Sequence, residues 1–496
     1  MDNLQSIAYV VPELVLTGFI ILVISADLIY KGQRGLSPGI ALTGLLVTLA
    51  MIGYCIPSNG PSPIFLGIFA YDHFSLFFKV AFVLATLMVV LFSIPVTARW
   101  TSGIGEYYTL LLACLLGMCL MAGANDLLMM YLALEFVSIT SYILAGLLRH
   151  SRKSSEASLK YIIYGAAASG VMIYGMSYLY GLTGHTNILA IGDYFRSNPP
   201  ETGFILLATV LIIAGFGYKI AAVPFHMWCP DVYEGAPTPI TAFFSVGPKA
   251  AGFAMFARFI SSIYPGLGDG FEWQIIIAII CVLTMGVGNF CAIHQDNLKR
   301  LMAYSSIAHA GYMLLAFILL RSQNIASLLF YIIVYLIMNL GAFLVIIILE
   351  ERFGVETVQG CRGVGWDQPV LCTAMAIFLF SLTGLPPLAG FIGKLLIFSY
   401  VIQGATLGVK GGPVGITLVV AAVLFSVISL YYYARVIGAM FLAAPAGVER
   451  SRSAQLSTYY NVLLWVLAIP TILLGIFWNP LYLLAKSSAI HLLARM

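Results

Sequence analysis

What most restricts this chain is how sparingly it places charge: apolar runs long enough to cross a bilayer follow one another almost from end to end. Of its 496 residues, 61% are hydrophobic and 9% charged, where a soluble domain carries roughly 25% charged residues. So few charges cannot cover an aqueous surface. The bilayer is the solvent that accepts them, at about 20 apolar residues per spanning helix. The apolar residues come in unbroken runs, not in the alternation of a lipid-facing strand, which excludes a β-barrel. The expected fold class is therefore all-α integral membrane.

The runs predict about 14 transmembrane helices. They lie near residues 10–30, 36–56, 73–96, 106–123, 127–148, 160–182, 203–223, 239–263, 273–293, 301–320, 326–349, 369–403, 414–441 and 460–486. The run from Pro369 is too long for one straight helix and is expected to bend or break. Basic residues set the orientation. Loops after odd-numbered spans hold Lys31, Arg34, Arg99, Arg149, Arg152, Lys153, Lys160, Lys299, Arg300, Arg352, Arg362, Arg435, Arg450 and Arg452. The other side, helix ends included, holds Arg196, Arg258, Arg321, Lys410, Lys486 and Arg495. The positive-inside rule puts the odd-span loops in the cytoplasm and both termini on the periplasmic side. The net charge of +4 carries no nucleic-acid meaning here. The 8 cysteines are scattered without metal-ligand spacing, so buried free thiols are expected, and no zinc site, iron–sulfur cluster or disulfide framework. Met1-Asp2-Asn3 offers no basic leader region, so the first run is expected to remain as a span.

Function is to be sought in ionisable residues inside the spans, each costing roughly 2.5–3.5 kcal/mol at mid-depth on insertion scales. Glu135 lies too far from either end of the fifth span to reach water. Lys219 lies five residues before Pro224, whose missing N–H breaks the local helical ladder and favours a water pocket. Lys249 sits near the middle of the eighth span, after a Pro248 expected to loosen the helix. Lys394 follows Gly384-Leu385-Pro386-Pro387-Leu388-Ala389-Gly390, which cannot be a regular helix interior, so a discontinuous helix is expected there. His226 and His309 are reserve candidates, because imidazole titrates near neutrality and can pass a proton between its nitrogens. Lys79, a turn or two into its span, is expected to snorkel to the interface. Asp27 is expected to be interfacial.

The fourth to eighth spans form one group of five and the ninth to thirteenth another. Because five is odd, the second group is inverted relative to the first. The fourth member of each carries a lysine and a proline break, Lys219 with Pro224 and Lys394 with Pro386-Pro387, which is the signature of an inverted-repeat transporter. The domain organisation expected is a three-helix segment over 1–100, half-channels over 101–265 and 266–445, and a C-terminal helix over 446–496. The half-channels would meet at Lys249. A carboxylate beside a buried lysine holds its proton, and withdrawing the carboxylate releases it. Pairing of Glu135 with Lys219, and its rupture, could thus drive a proton toward Lys249. Moving one proton against 100 mV costs about 2.3 kcal/mol, within reach of such pairing.

The stretch from Val223-Pro224-Phe225-His226-Met227-Trp228 through Gly235-Ala236-Pro237-Thr238-Pro239, continued by Val246-Gly247-Pro248-Lys249, resembles the antiporter-like, proton-pumping subunits of proton-translocating NADH:quinone oxidoreductase (respiratory complex I, NDH-1). Leu298-Lys299-Arg300-Leu301 through Ser305-Ser306-Ile307-Ala308-His309, and Gly384-Leu385-Pro386-Pro387, carry the same resemblance, which covers nearly the whole chain. It implies that Glu135 and Lys219 match the family's helix-five glutamate and helix-seven lysine, Lys249 its central lysine and Lys394 its broken-helix lysine. The M-type sister carries glutamate at this last position, and the L-type carries a long lateral C-terminal helix, so the N type fits. Cys229 and Pro248 stand where hydroxyl-bearing residues are expected.

The resemblance implies a non-redox subunit of a translocase, coupling chemistry performed elsewhere to proton pumping. No cofactor is expected on this chain; NADH, FMN, iron–sulfur clusters and quinone belong to the complex as a whole. The implied partners are M-type and small K-type membrane-arm neighbours, the peripheral redox arm and the lipid bilayer, with no nucleic acid. A bacterial inner membrane is expected rather than a thylakoid. A multisubunit cation/proton antiporter and a membrane-bound hydrogenase are the alternatives from related systems. A purely structural spacer is disfavoured, because a spacer has no use for mid-membrane Lys249 and Lys394.

Overall fold

The computed structural model describes residues 6–30, 33–56, 62–270, 272–443 and 456–494. Lys31, Arg450, Arg452 and Arg495, used above for orientation, lie outside the described residues. Helices α1 (Val11–Ile29), α2 (Leu36–Tyr54) and α3 (His73–Thr97) come first, followed by α4 (Ile104–Gly123), α5 (Leu127–Ala145) and α6 (Arg152–Thr183). After the short α7 (Ile188–Ser197) come α8 (Thr202–Ile220), α9 (Trp228–Gly235), α10 (Thr238–Ile263), α11 (Trp273–Ile293), α12 (Leu298–Leu314) and α13 (Ser322–Phe353). The chain closes with α14 (Pro369–Thr383), α15 (Ala389–Thr406), α16 (Gly412–Phe441), α17 (Thr458–Ile476) and α18 (Asn479–Leu493). Among the described residues, 13 helices are long and apolar enough to cross a membrane. The 17-residue α12 packs among them against α11. With α14 and α15 taken as one interrupted crossing, the architecture matches the expected all-α membrane class.

Helix starts follow local chemistry. Asp72 and Ser75 form a reciprocal capping box at α3, and Asp126, Asn187 and Asn297 cap α5, α7 and α12 with their side chains. Each such cap satisfies amides that a helix leaves unbonded, contributing about 1 kcal/mol. A hairpin unforeseen from the sequence joins α2 to α3, with strand β1 (Ser62–Ile64) antiparallel to β2 (Phe69–Tyr71). The last run is not one span: α17 ends at Ile476 and α18 restarts at Asn479, where Pro480 can occupy only the first turn of a new helix. Helix α10 stays continuous through Pro248, against the expectation of loosening there. Helices α10 and α13 form the centre: α10 is buried almost throughout, and α13 packs against α10, α14, α15 and α18. Helices α6 and α16 lie outside, showing Ile163, Tyr174, Leu424 and Val427 to the surroundings. In a bilayer such faces meet lipid or another subunit.

Candidate functional site

The chain leaves helix twice in the interior, and each break sits beside a lysine. Helix α8 stops because Ala221 takes a left-handed φ of 58° and Pro224 follows. Backbone groups freed there find partners. The Trp228 indole donates to the Tyr218 carbonyl at 3.0 Å, and the Val223 amide donates to Thr284 Oγ1 at 3.0 Å. Irregular backbone at membrane depth is tolerated only when so enclosed. Lys219, 2% exposed, ends α8 and donates to Ser138 Oγ at 3.1 Å. Ser138 and Glu135 are three residues apart on α5 and share a face. The expected Glu135–Lys219 contact is not made: lysine holds the serine hydroxyl, and Glu135 Oε1 is buried without a hydrogen-bond partner. The carboxylate still lies within electrostatic reach of Lys219.

Lys249, on α10, has no carboxylate partner among the described residues. Its ammonium donates to Ser306 Oγ at 2.5 Å and to Cys229 Sγ at 3.7 Å, and lies 5.3 Å from the Tyr233 ring centre. Where a hydroxyl is expected at position 229, α12 supplies one from Ser306. The adjoining cavity, bounded by Phe253, Ser306 and Tyr335, measures about 10 Å³. That is roughly the space of one water.

The second break lies between α14 and α15, where Gly384 takes a φ of 91° that suits only glycine. Lys394, in the second turn of α15, donates to the freed Thr383 carbonyl at 2.9 Å and to Ser426 Oγ at 3.3 Å. Its ammonium stands 4.5 Å from the Tyr312 ring centre. A cavity of about 320 Å³ leads from Lys394 past Ser426 to the surface at Val427. Between the two lysines sits His309, 1% exposed, with Nδ1 2.7 Å from the Tyr331 hydroxyl and Nε2 3.3 Å from that of Tyr433. It lies within electrostatic reach of both Lys394 and Lys249. His226 occupies the first break, buried, with Nδ1 unpartnered.

Three ionic features escaped the sequence reading. Lys79 does not snorkel: it is buried and ion-paired to Glu13 at 2.6 Å. Arg258, counted above as a basic helix end, is instead fully enclosed. It grips both Asp72 oxygens at 2.9 and 3.0 Å and the Ala122 carbonyl. Third, Asp231 and Glu234, beyond the α9 start, gather Lys160, Lys153 and Arg300 into one network. Burial alone would raise the Asp231 carboxyl, but hydrogen bonds from Lys160 and Arg300 outweigh it and hold it below the ordinary carboxylate range. Asp27 is exposed near the end of α1.

A family model described as "NADH:quinone oxidoreductase/Mrp antiporter, TM" matches residues 124–429. The "NADH-quinone oxidoreductase subunit N 2" of Chloroherpeton thalassium is 45% identical over 490 residues, 96% of this chain and 93% of that protein. The "NAD(P)H-quinone oxidoreductase subunit 2" of Thermosynechococcus vestitus is 40% identical, covering 97% of this chain and 92% of its own length. In solved structures, a chain of respiratory complex I from Thermus thermophilus superposes with a TM-score of 0.78 at 31% identity, over 96% of this chain and 99% of that one.

Proposed function

From the premise that this chain belongs to the antiporter-like membrane subunits of NADH:quinone oxidoreductase, in their N-type branch, we propose how its buried charges move protons. It is a membrane-arm subunit of a proton-translocating complex, and it pumps in response to redox chemistry carried out elsewhere in the assembly. The observation that carries the mechanism is the series of enclosed cations held by neutral partners: Lys219 on Ser138, Lys249 on Ser306, and Lys394 on Thr383 and Ser426. Hydroxyl and carbonyl oxygens stabilise an ammonium but do not neutralise it, so each lysine can gain or lose its proton without first breaking an ion pair.

Residues 101–265 and 266–445 act as two half-channels joined at Lys249. Approach of the Glu135 carboxylate holds the Lys219 proton, and its withdrawal sends that proton toward Lys249. His309, wired between two tyrosine hydroxyls, carries it on toward Lys394; His226 relays at the first break. M-type and K-type subunits flank the chain in the arm, and the nicotinamide, flavin, iron–sulfur and quinone groups belong to other subunits of the complex. The host is a bacterial inner membrane with both termini on the periplasmic side.

The test is alanine substitution of Glu135, Lys219, Lys249 and Lys394 in turn, reading protons translocated per NADH oxidised in inverted membrane vesicles. Loss of pumping in matched amounts of assembled complex is expected. Unaltered pumping in all four variants overturns the mechanism.

A further inference from the structure

The proton path above leaves one buried acid–base pair unused, in the N-terminal three-helix segment. Glu13, in the first turn of α1, and Lys79, in the second turn of α3, meet at 2.6 Å with side chains only 9% and 6% exposed. Burying two ions costs several kcal/mol each, and hydrophobic residues of similar volume often serve stability equally well or better. A retained buried pair therefore asks for a use. Two observations supply one. The second carboxylate oxygen, Glu13 Oε2, is buried with no hydrogen-bond partner. Beside the pair lies a cavity of about 300 Å³, bounded by Thr17, Phe65, Tyr71 and Cys119, that reaches the surface along α1 at Leu14. A pair needed only as a brace would be packed closed on all sides. Here the pair borders a space large enough for several waters, and one carboxylate oxygen is left without a partner.

We infer that Glu13 and Lys79 form an additional proton-transfer site, exchanging protons with the face of the membrane at which α1 and α3 begin. A proton entering from the cavity binds Glu13 Oε2 and cancels the carboxylate charge. The Lys79 ammonium, left with the Tyr71 ring 5.6 Å away, loses its ionic partner and releases its own proton to the cavity water or inward. Return of the Glu13 proton to Lys79 restores the ion pair, so one proton enters and one leaves in each cycle. Helix α3 ties the site to the rest of the path, because its capping residue Asp72 is clamped by Arg258 of α10, the helix that carries Lys249.

This inference rests on the chain's being a proton-translocating subunit, and the experiment separates the two. Vesicles carrying the intact complex with Glu13→Gln, Glu13→Asp, the double change Glu13→Gln/Lys79→Gln, or Lys249→Ala are compared for NADH-driven acidification. Glu13→Gln and the double variant should slow acidification by about a hundredfold, the lower end of the range for loss of a positioned acid–base group. Glu13→Asp, which keeps the carboxylate, should recover most of the rate. The double variant leaves no charge stranded and so guards against a mere assembly defect. If it assembles and pumps normally while Lys249→Ala is inactive, the inference falls and the broader reading stands. If Lys249→Ala also pumps normally, the step assigned to the central lysine in the broader reading falls too. Failure of both Glu13→Gln and the double variant to assemble marks the pair as a folding brace and equally overturns the inference.

Discussion

Replacing Ser306 with alanine removes the only short oxygen acceptor that Lys249 has among the described residues. The 2.5 Å contact is directional: the serine hydroxyl donates its hydrogen to the Ala303 carbonyl at 2.8 Å, which leaves its lone pairs for the ammonium. A hydrogen bond to a charged group contributes about 1.5–3 kcal/mol. What remains is a thiol at 3.7 Å, a weak acceptor, and an aromatic face at 5.3 Å. At about 1.4 kcal/mol per factor of ten, losing that bond should weaken the hold on the Lys249 ammonium by about 10- to 150-fold in equilibrium constant. If transfer through the central lysine limits pumping, acidification should fall on that scale. The assay is fluorescence quenching of a pH-sensitive dye in inverted vesicles, normalised to assembled complex and to NADH consumed. Ser306→Thr, which keeps a hydroxyl, should pump nearly as well as the parent chain. Cys229→Ser added to Ser306→Ala should recover part of the loss by supplying an oxygen from the opposite side. Parent-level pumping by Ser306→Ala, or an equal defect in Ser306→Thr, would refute the reasoning.

Two further outcomes follow from the ionic features. Arg258→Met strands the buried Asp72 carboxylate and should destabilise the assembled complex by about 3–5 kcal/mol, seen as a lowered melting temperature; Arg258→Gln/Asp72→Asn should restore most of it, and a double variant as unstable as the single would count against a simple ion-pair cost. Because Asp231 titrates below its ordinary value of 3.8, its contribution to stability is complete above that pH and is lost as pH falls through the depressed value. Asp231→Asn should therefore flatten the acid limb of a melting-temperature profile, and an unchanged limb would contradict the assignment.

The parts of the site that could be read in the sequence were those where a charge stands in an apolar run with nothing else to explain it. Lys249 and Lys394 meet that condition, and the prolines beside Lys219 and Lys394 announced the interruptions at Ala221 and Gly384. Glu13 and Lys79 could not be read that way. Each lies near a helix end, where reaching for water is the ordinary behaviour of a long side chain, and only the approach of α1 to α3 closes them in. Arg258 misled for the same reason. Ser306 carried no signal, since a serine in a helix is unremarkable until α10 and α12 bring it to Lys249. The single span expected over 460–486 became two helices because an apolar run reports composition, whereas Asn479-Pro480 dictates where a helix may restart.

The clasp of Arg258 on Asp72 bears on how such chains can be shortened through evolution. The join near residue 100 looks like a natural place to cut, since the first three helices precede both five-helix units. It is not one, because removing those helices takes away Asp72 and leaves a guanidinium sealed inside α10 with no counter-ion. A lineage that discarded the segment would have to change the arginine in step, to a residue content without a charge. Related chains lacking the first three helices should therefore carry an uncharged side chain at the position of Arg258, and one that kept the arginine would have had to recruit an acid from elsewhere.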